Sequence, residues 1–213
     1  MTRENVSLST LRRLPIYLHY LNTVRQERKN ISAAAVAEHF GLNAVQVRKD
    51  LGAVSGTGRP KTGYDVGELI GQIEDCLDCG TETKAILVGA GNLGKALLSY
   101  SGFADFGLNI VAAFDAGAQA KGKTINGKPV YSAGEIERVC AEGKIKLGII
   151  AVPVEHAQLV CDRLVSCGVR AIWNFAPTIL KTPPYVLTEN ENLASSLAIL
   201  SKHLREREPE VTQ

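Results

Sequence analysis

Apolar residues near the start of the chain recur at steps of three and four. Leu11, Leu14, Tyr17, Leu18, Leu21 and Val24 fall on one helical face. That helix is expected to begin near Ser9, with Pro15 absorbed in an early turn or as a kink. A second helix is expected over 32–39, with Ser32 as N-cap, Ala35, Val36 and Phe40 inward, and Gly41 as the stop. Asn43 then caps a third helix, and Gln46 three residues on makes a capping-box-like pair. On this third helix Ala44, Val47, Leu51 and Val54 face inward. Gln46 and Lys49 point away, with Val45 beside them and Arg48 flanking. Residues 55–64 hold three glycines and a proline around Arg59 and Lys61 and read as a hairpin with a basic tip, or as a plain linker.

The pattern then changes. A helix over 68–79 leads to a short buried strand, 85–88, which runs into Gly89-Ala-Gly-Asn-Leu-Gly94. A helix carrying Ala96, Leu97 and Leu98 follows, then a strand over 110–114 ending at Asp115. Further elements are a helix over 132–141, an unbroken apolar strand over 147–152, a helix over 155–167, and a strand over 170–175 that completes the sheet. Alternating strands and helices with fully apolar strands predict a parallel, doubly wound α/β sheet. A last helix, 192–207, carries Leu193, Leu197, Leu200 and Leu204 as a stripe suited to a second subunit. The expected domains are a winged helix-turn-helix with linker helix over 1–80, a Rossmann domain over 81–188, and a dimerisation helix and tail over 189–213.

Charge sharpens this division. The net charge of +2 hides ten basic and four acidic residues in 1–64, against 14 and 18 in the remainder. A basic head on an acidic body fits a nucleic-acid binder. At 45% hydrophobic and 22% charged, with no membrane-length apolar run and no secretory h-region after Met1, the chain is expected to be cytoplasmic. Five cysteines form no even framework. Cys76 and Cys79 make a C-x-x-C with no second pair, so no metal site is expected.

In the head, Asn43, Gln46, Arg48 and Lys49 are candidates for DNA contact from a recognition helix, and Arg59, Lys61 and Tyr64 from a wing. Glutamine reads adenine, arginine or lysine reads guanine, and the other cations grip phosphate. A three-helix packing unit with solvated charges is the plain alternative.

In the body, strand, G-x-G-x-x-G, helix, strand and acid stand in the order of a dinucleotide site. Gly89 permits the tight turn, Gly91 the approach of a pyrophosphate, and Gly94 close packing of helix on strand. Ala90, Asn92, Leu93 and Lys95 complete the phosphate-facing turn, where the helix N-terminus favours an anion. Asp115, placed to accept two ribose hydroxyls, favours NAD(H) over NADP(H). Val152, Pro153, Asn174 and Phe175 sit where strands end and should line the nicotinamide side, with Tyr100. No catalytic residue is assigned, since His156 stands without a relay. The rival readings are an NAD-dependent oxidoreductase and a module for CoA or another nucleotide.

Arg13-Leu-Pro-Ile-Tyr17, Val45-Gln-Val-Arg-Lys-Asp-Leu51, Gly63-Tyr64, the glycine turn, Phe114-Asp115, Val152-Pro153 with Ala157-Gln158, and Asn174-Phe-Ala-Pro177 together resemble the Rex family of redox-sensing transcriptional repressors. The resemblance implies a homodimer with a swapped C-terminal helix. It further implies an inverted-repeat operator bound when NAD⁺ dominates and released by NADH, and target genes of fermentation and respiration. An apolar pocket of Phe175, Pro153 and Tyr100 would disfavour the charged NAD⁺ ring. Where some members carry an Arg–Asp pair, this chain has His19 and Asn192. His19 then substitutes as a weaker partner or is simply a packed residue.

Overall fold

A computed structural model describes residues 6–117 and 122–207. The end of the expected tail, 208–213, lies outside the described residues. Contacts divide the chain into two units, Met1–Glu82 with Asp105–Gly107, and Thr83–Ala104 with Leu108–Gln213.

The first unit is helical with a two-stranded ribbon. The expected single first helix is two, because the chain breaks before Pro15. A short helix α1 (Leu8–Leu11) is capped by Ser7, and α2 (Leu14–Val24) takes Pro15 into its first turn, where its missing N–H costs nothing. After β1 (Asn30–Ile31), α3 (Ala33–Phe40) starts at Ser32, whose hydroxyl accepts from the Ala35 N–H, and ends on left-handed Gly41. Helix α4 (Ala44–Ser55) starts at Asn43, whose side chain accepts from the N–H groups of Val45 and Gln46. Strand β2 (Tyr64–Asp65) pairs antiparallel with β1, and α5 (Val66–Cys76) follows. Tyr17, Leu21, Val36, Val47, Leu51, Leu69 and Ile73 form one core. The order is that of a winged helix. The hairpin is smaller than expected, with one bridge, Arg59 to Gly63, holding a tip at Pro60 and Lys61.

The second unit is a seven-stranded sheet. Its strands are β3 (Thr83–Val88), β4 (Leu108–Asp115), β5 (Lys123–Ile125), β6 (Lys128–Ser132), β7 (Leu147–Ile150), β8 (Ala171–Asn174) and β9 (Leu187–Asn190). The order is β5-β6-β4-β3-β7-β8-β9, and only β5 runs antiparallel. Leaving out β5, the parallel strands follow the doubly wound dinucleotide-fold order, with the switch point between β3 and β7. The strand at 170–175 therefore does not complete the sheet, since β9 adds beyond it. The β5–β6 hairpin was not expected. Its turn is Asn126-Gly127, both at positive φ. It displaces the start of the expected 132–141 helix, so α7 runs Ile136–Gly143 behind a short 3₁₀ turn capped by Ser132.

Alternation in β3 serves two cores. Ile86 and Val88 pack with α7 and α8 (Val154–Ser166) through Ile136, Cys140, Cys161 and Leu164. Ala85 and Leu87 pack on the other face with Leu98 of α6 (Asn92–Ser99). The last helix, α9 (Leu193–Arg207), starts at Asn192, whose side chain accepts from the Ser195 N–H. Leu193, Leu197, Leu200 and Leu204 all stay exposed on it.

Candidate functional site

In the second unit, β3 ends in the glycine turn and α6 begins. Gly89 has φ +105, and its amide donates to the Phe114 carbonyl at 2.8 Å. A Cβ there would strike the Ala151 carbonyl oxygen, so the turn lies hard against the end of β7. A Cβ on Gly94 would strike the carbonyl oxygen of Gly89. At Gly91 a Cβ would meet no atom within 4 Å, which leaves open space over the turn. Among the described residues no side chain caps α6, so the N–H groups around Asn92 and Leu93 have no side-chain acceptor there. Lys95 is exposed on the same helix.

Asp115 closes β4. One oxygen accepts from the Ala90 N–H at 2.8 Å, and the other accepts from the Gly117 N–H at 2.7 Å. The carboxylate thus tethers the glycine turn, and with two donors among the described residues it has capacity for more. Together, an uncapped helix start, a Cβ-free opening and a carboxylate at the end of the next strand fit a dinucleotide. In such a site a helix start suits phosphates and a carboxylate at the end of the next strand suits a ribose.

Farther along the strand ends, Val152 and Pro153 lead into α8, with Pro153 at its N-cap. Tyr100, exposed at the end of α6, packs edge-on against Phe103 at 4.8 Å. Phe103 meets Trp173 at 5.6 Å, and Trp173 meets Phe175 at 4.6 Å. The row joins Tyr100 to Phe175 through two residues the sequence pattern did not single out, Phe103 and Trp173. The Trp173 indole N–H donates to Glu191 at 3.1 Å.

Asn174 is placed differently from the expectation. It is fully buried, and its amide nitrogen donates to Ala176, Thr178 and Asn190 while its oxygen accepts from the Ala176 N–H. Its hydrogen-bonding groups are committed to shaping the 174–178 loop and joining β9, so it is a scaffold for the pocket rather than a contact. His156 is exposed in the first turn of α8, and among the described residues no side-chain hydrogen bond orients its ring.

In the first unit, Asn43, Gln46, Arg48 and Lys49 are exposed in the first half of α4 and at its cap. Arg48 lines a groove of about 400 Å³ with Ala33, Arg59, Pro60 and Lys61, which brings the third helix and the basic tip together. Arg59 also reaches Glu68 at 3.9 Å, an exposed and weak pair. Tyr64 is a correction. It is 8% exposed, within the head core, and its ring lies where a Cβ on Gly58 would stand. It holds the wing to the core instead of presenting a side chain outward.

The expected capping box is also only half formed. The Gln46 side chain does not reach back to Asn43 but donates to Asp50 at 3.0 Å. Asp50, 1% exposed, further accepts from Arg13 at 2.7 and 2.8 Å, from Thr10 at 3.0 Å and from Tyr17 at 3.0 Å. Burial alone would raise the Asp50 pKa, but these donors outweigh it and hold the carboxyl below its ordinary value. Burial, followed by the bond to Asp50, pushes the Tyr17 phenol up to about 12. Sequence spacing did not single out this cluster, because Thr10, Arg13 and Tyr17 lie 33–40 residues before Asp50.

Comparison with known proteins agrees with both halves. A family model described as "CoA binding domain" matches residues 80–178, and one described as "Putative DNA-binding protein N-terminus" matches 5–52. A protein named redox-sensing transcriptional repressor Rex from Clostridium beijerinckii is 41% identical, over 96% of this chain and 98% of its own length. Its namesake from Treponema denticola is 40% identical over 94% and 96%. The chain belongs to the Rex family. The solved structure of RSP with β-NAD⁺ and operator DNA is 37% identical, covers 95% of this chain and 94% of its own, and superposes with a TM-score of 0.88. RSP with β-NADH covers 94% and 95% with a TM-score of 0.83. In this Rex-family chain, Arg13-Leu-Pro-Ile-Tyr17 and the Val45–Leu51 stretch meet at Asp50. His19 is exposed on α2, and Asn192 serves as the cap of α9.

Proposed function

We propose that the chain is a transcriptional repressor that binds operator DNA through α4 and the wing. The ratio of NADH to NAD⁺, read at the glycine turn, controls that binding. The observation that carries the reading is the pairing of two built sites in one Rex-family chain. One is an uncapped helix start beside Gly91 and Asp115, and the other is an exposed basic helix beside a basic wing. Relatives solved with NAD⁺ and operator DNA, and with NADH, support it.

Arg48, Lys49, Arg59 and Lys61 grip DNA. Gly89 to Lys95 hold the phosphates, and Asp115 holds the ribose. Tyr100, Phe175, Val152 and Pro153 border the nicotinamide end. Burial in an apolar pocket strips hydration from the charged oxidised ring, so the neutral reduced ring is buried there more readily. A difference in affinity between two protein states is what shifts a repressor off DNA. The exposed leucines of α9 are covered by a second copy, giving a two-fold reader for an inverted repeat. The family model for CoA marks the nucleotide fold, while Asp115 favours a ribose diol. The chain works in the cytoplasm without catalytic turnover. Among the described residues, no helix is long and apolar enough to cross a membrane.

The deciding experiment uses a duplex that the chain itself recovers from a randomised DNA library. NADH is expected to release it at roughly tenfold lower concentration than NAD⁺, or less. Equal potency of the two ends the reading. Asp115→Ala is expected to weaken NADH binding roughly tenfold, in line with one lost charge-assisted hydrogen bond. The duplex should still bind with unchanged affinity when nucleotide is absent. Fluorescence titration and gel shift measure the two quantities, and full NADH affinity in the variant removes Asp115 from the ribose.

A further inference from the structure

We infer that Gln46, turned by Asp50, reads an adenine in the major groove. The inference rests on the reading of α4 as the recognition helix. Asp50 is buried, and its carboxyl is held below the ordinary range, so it is ionised and only accepts hydrogen bonds. The group facing it at 3.0 Å is therefore the Gln46 amide nitrogen, and the polarity of the amide is settled.

An amide nitrogen carries two hydrogens. The one on the same side as Oε1 shares an edge with that oxygen, and a carboxylate on this edge would face the lone pairs of Oε1. The other hydrogen points away from Oε1 and is the one Asp50 takes. What remains is one N–H and one oxygen, side by side. Gln46 is exposed in the first turn of α4, where a recognition helix meets base edges. A donor beside an acceptor matches N7 and the N6 amino group of adenine. Guanine offers two acceptors on that edge, cytosine a lone amino donor, and thymine an acceptor and a methyl group.

The cluster also removes the freedom that makes glutamine a loose reader. Arg13, Thr10 and Tyr17 fix Asp50 from α1 and α2, so the acceptor holding Gln46 does not move. Arg48 and Lys49, on the same helix, have no such tether among the described contacts. Gln46 sets sequence preference, and those two cations supply grip.

The test is selection from a randomised duplex library by the full chain and by Gln46→Ala. Binding to the recovered duplex is then measured with 7-deazaadenine at each adenine in turn, which removes N7 alone. The native chain is expected to show one adenine per half-site where this change weakens binding roughly tenfold. Gln46→Ala is expected to lose that adenine from its recovered motif and to be indifferent to N7 there. A Gln46→Ala chain that recovers the same motif overturns the inference. So does one whose binding falls equally on all sequences, since that marks a phosphate contact. If the native chain recovers no motif, the repressor reading fails instead.

Discussion

Gly94→Ala is expected to weaken NADH binding roughly a hundredfold while the head keeps its affinity for DNA. The added Cβ would lie on the carbonyl oxygen of Gly89, and both groups are backbone-fixed, so no side-chain rotation relieves the contact. The helix must back away from β3, or the turn must open. Overpacking a tight site costs about 1–3 kcal/mol, and a clash on backbone falls at the upper end. About 3 kcal/mol placed on the binding-competent turn lowers affinity roughly a hundredfold. Nucleotide fluorescence titration reads the loss, and gel shift without nucleotide reads the head. Gly91→Ala is the informative neighbour. Its Cβ meets no protein atom, so the fold should tolerate it and only ligand approach should suffer. Retention of native NADH affinity by Gly94→Ala means the phosphates do not use this turn.

Arg13→Ala is expected to destabilise the head strongly. It strips two of five hydrogen bonds from a carboxylate that is 1% exposed, leaving a buried charge without its cation. Removing one partner of a buried pair costs about 3–5 kcal/mol. The Arg13 side chain is itself 25% exposed, so water repairs part of the loss and about 3 kcal/mol is the expected cost. That is a large share of the 5–15 kcal/mol typical of a small domain.

Acid gives an internal check. The carboxyl of Asp50 is held low in the folded state, so its stabilisation is present above the ordinary carboxylate pKa. It is lost as pH falls through the depressed folded value, and the gap between native and variant chains should narrow there. Urea unfolding followed by circular dichroism, at neutral and acid pH, measures both. An unchanged midpoint at neutral pH would remove Asp50 from the supports of the fold.

Much of this architecture is legible in local pattern. Ser32, Gly41 and Asn43 mark their helix ends because caps act within three or four residues. The glycine turn and Asp115 announce themselves because a phosphate site needs backbone without side chains and an acid one strand away. What was missed depends on distance or on exposure. The β5–β6 hairpin carried a readable signal, Asn126-Gly127, but its strands are short and half polar. Strand β9 is mostly exposed, so it lacks the apolar run that betrays a central strand. Tyr64 and Asn174 sit in the right motifs, yet tertiary neighbours turn both inward. Asp50 reads locally as one charge on a basic helix, and only the fold reveals the residues, more than thirty positions earlier, that neutralise it. The Tyr100-to-Phe175 row is likewise assembled by the sheet and not by spacing.

Asp115 grips the Ala90 and Gly117 amides, which fixes in place the carboxylate proposed to hold the adenosine end of the coenzyme. Oxidised and reduced forms share that end atom for atom. It lends both the same anchorage and cannot tell one from the other. Under the proposed function, discrimination falls to the far end of the molecule, beside the row from Tyr100 to Phe175. Substitutions in that aromatic row are then expected to move the threshold ratio, while substitutions at Asp115 are expected to move the affinity for both coenzymes together.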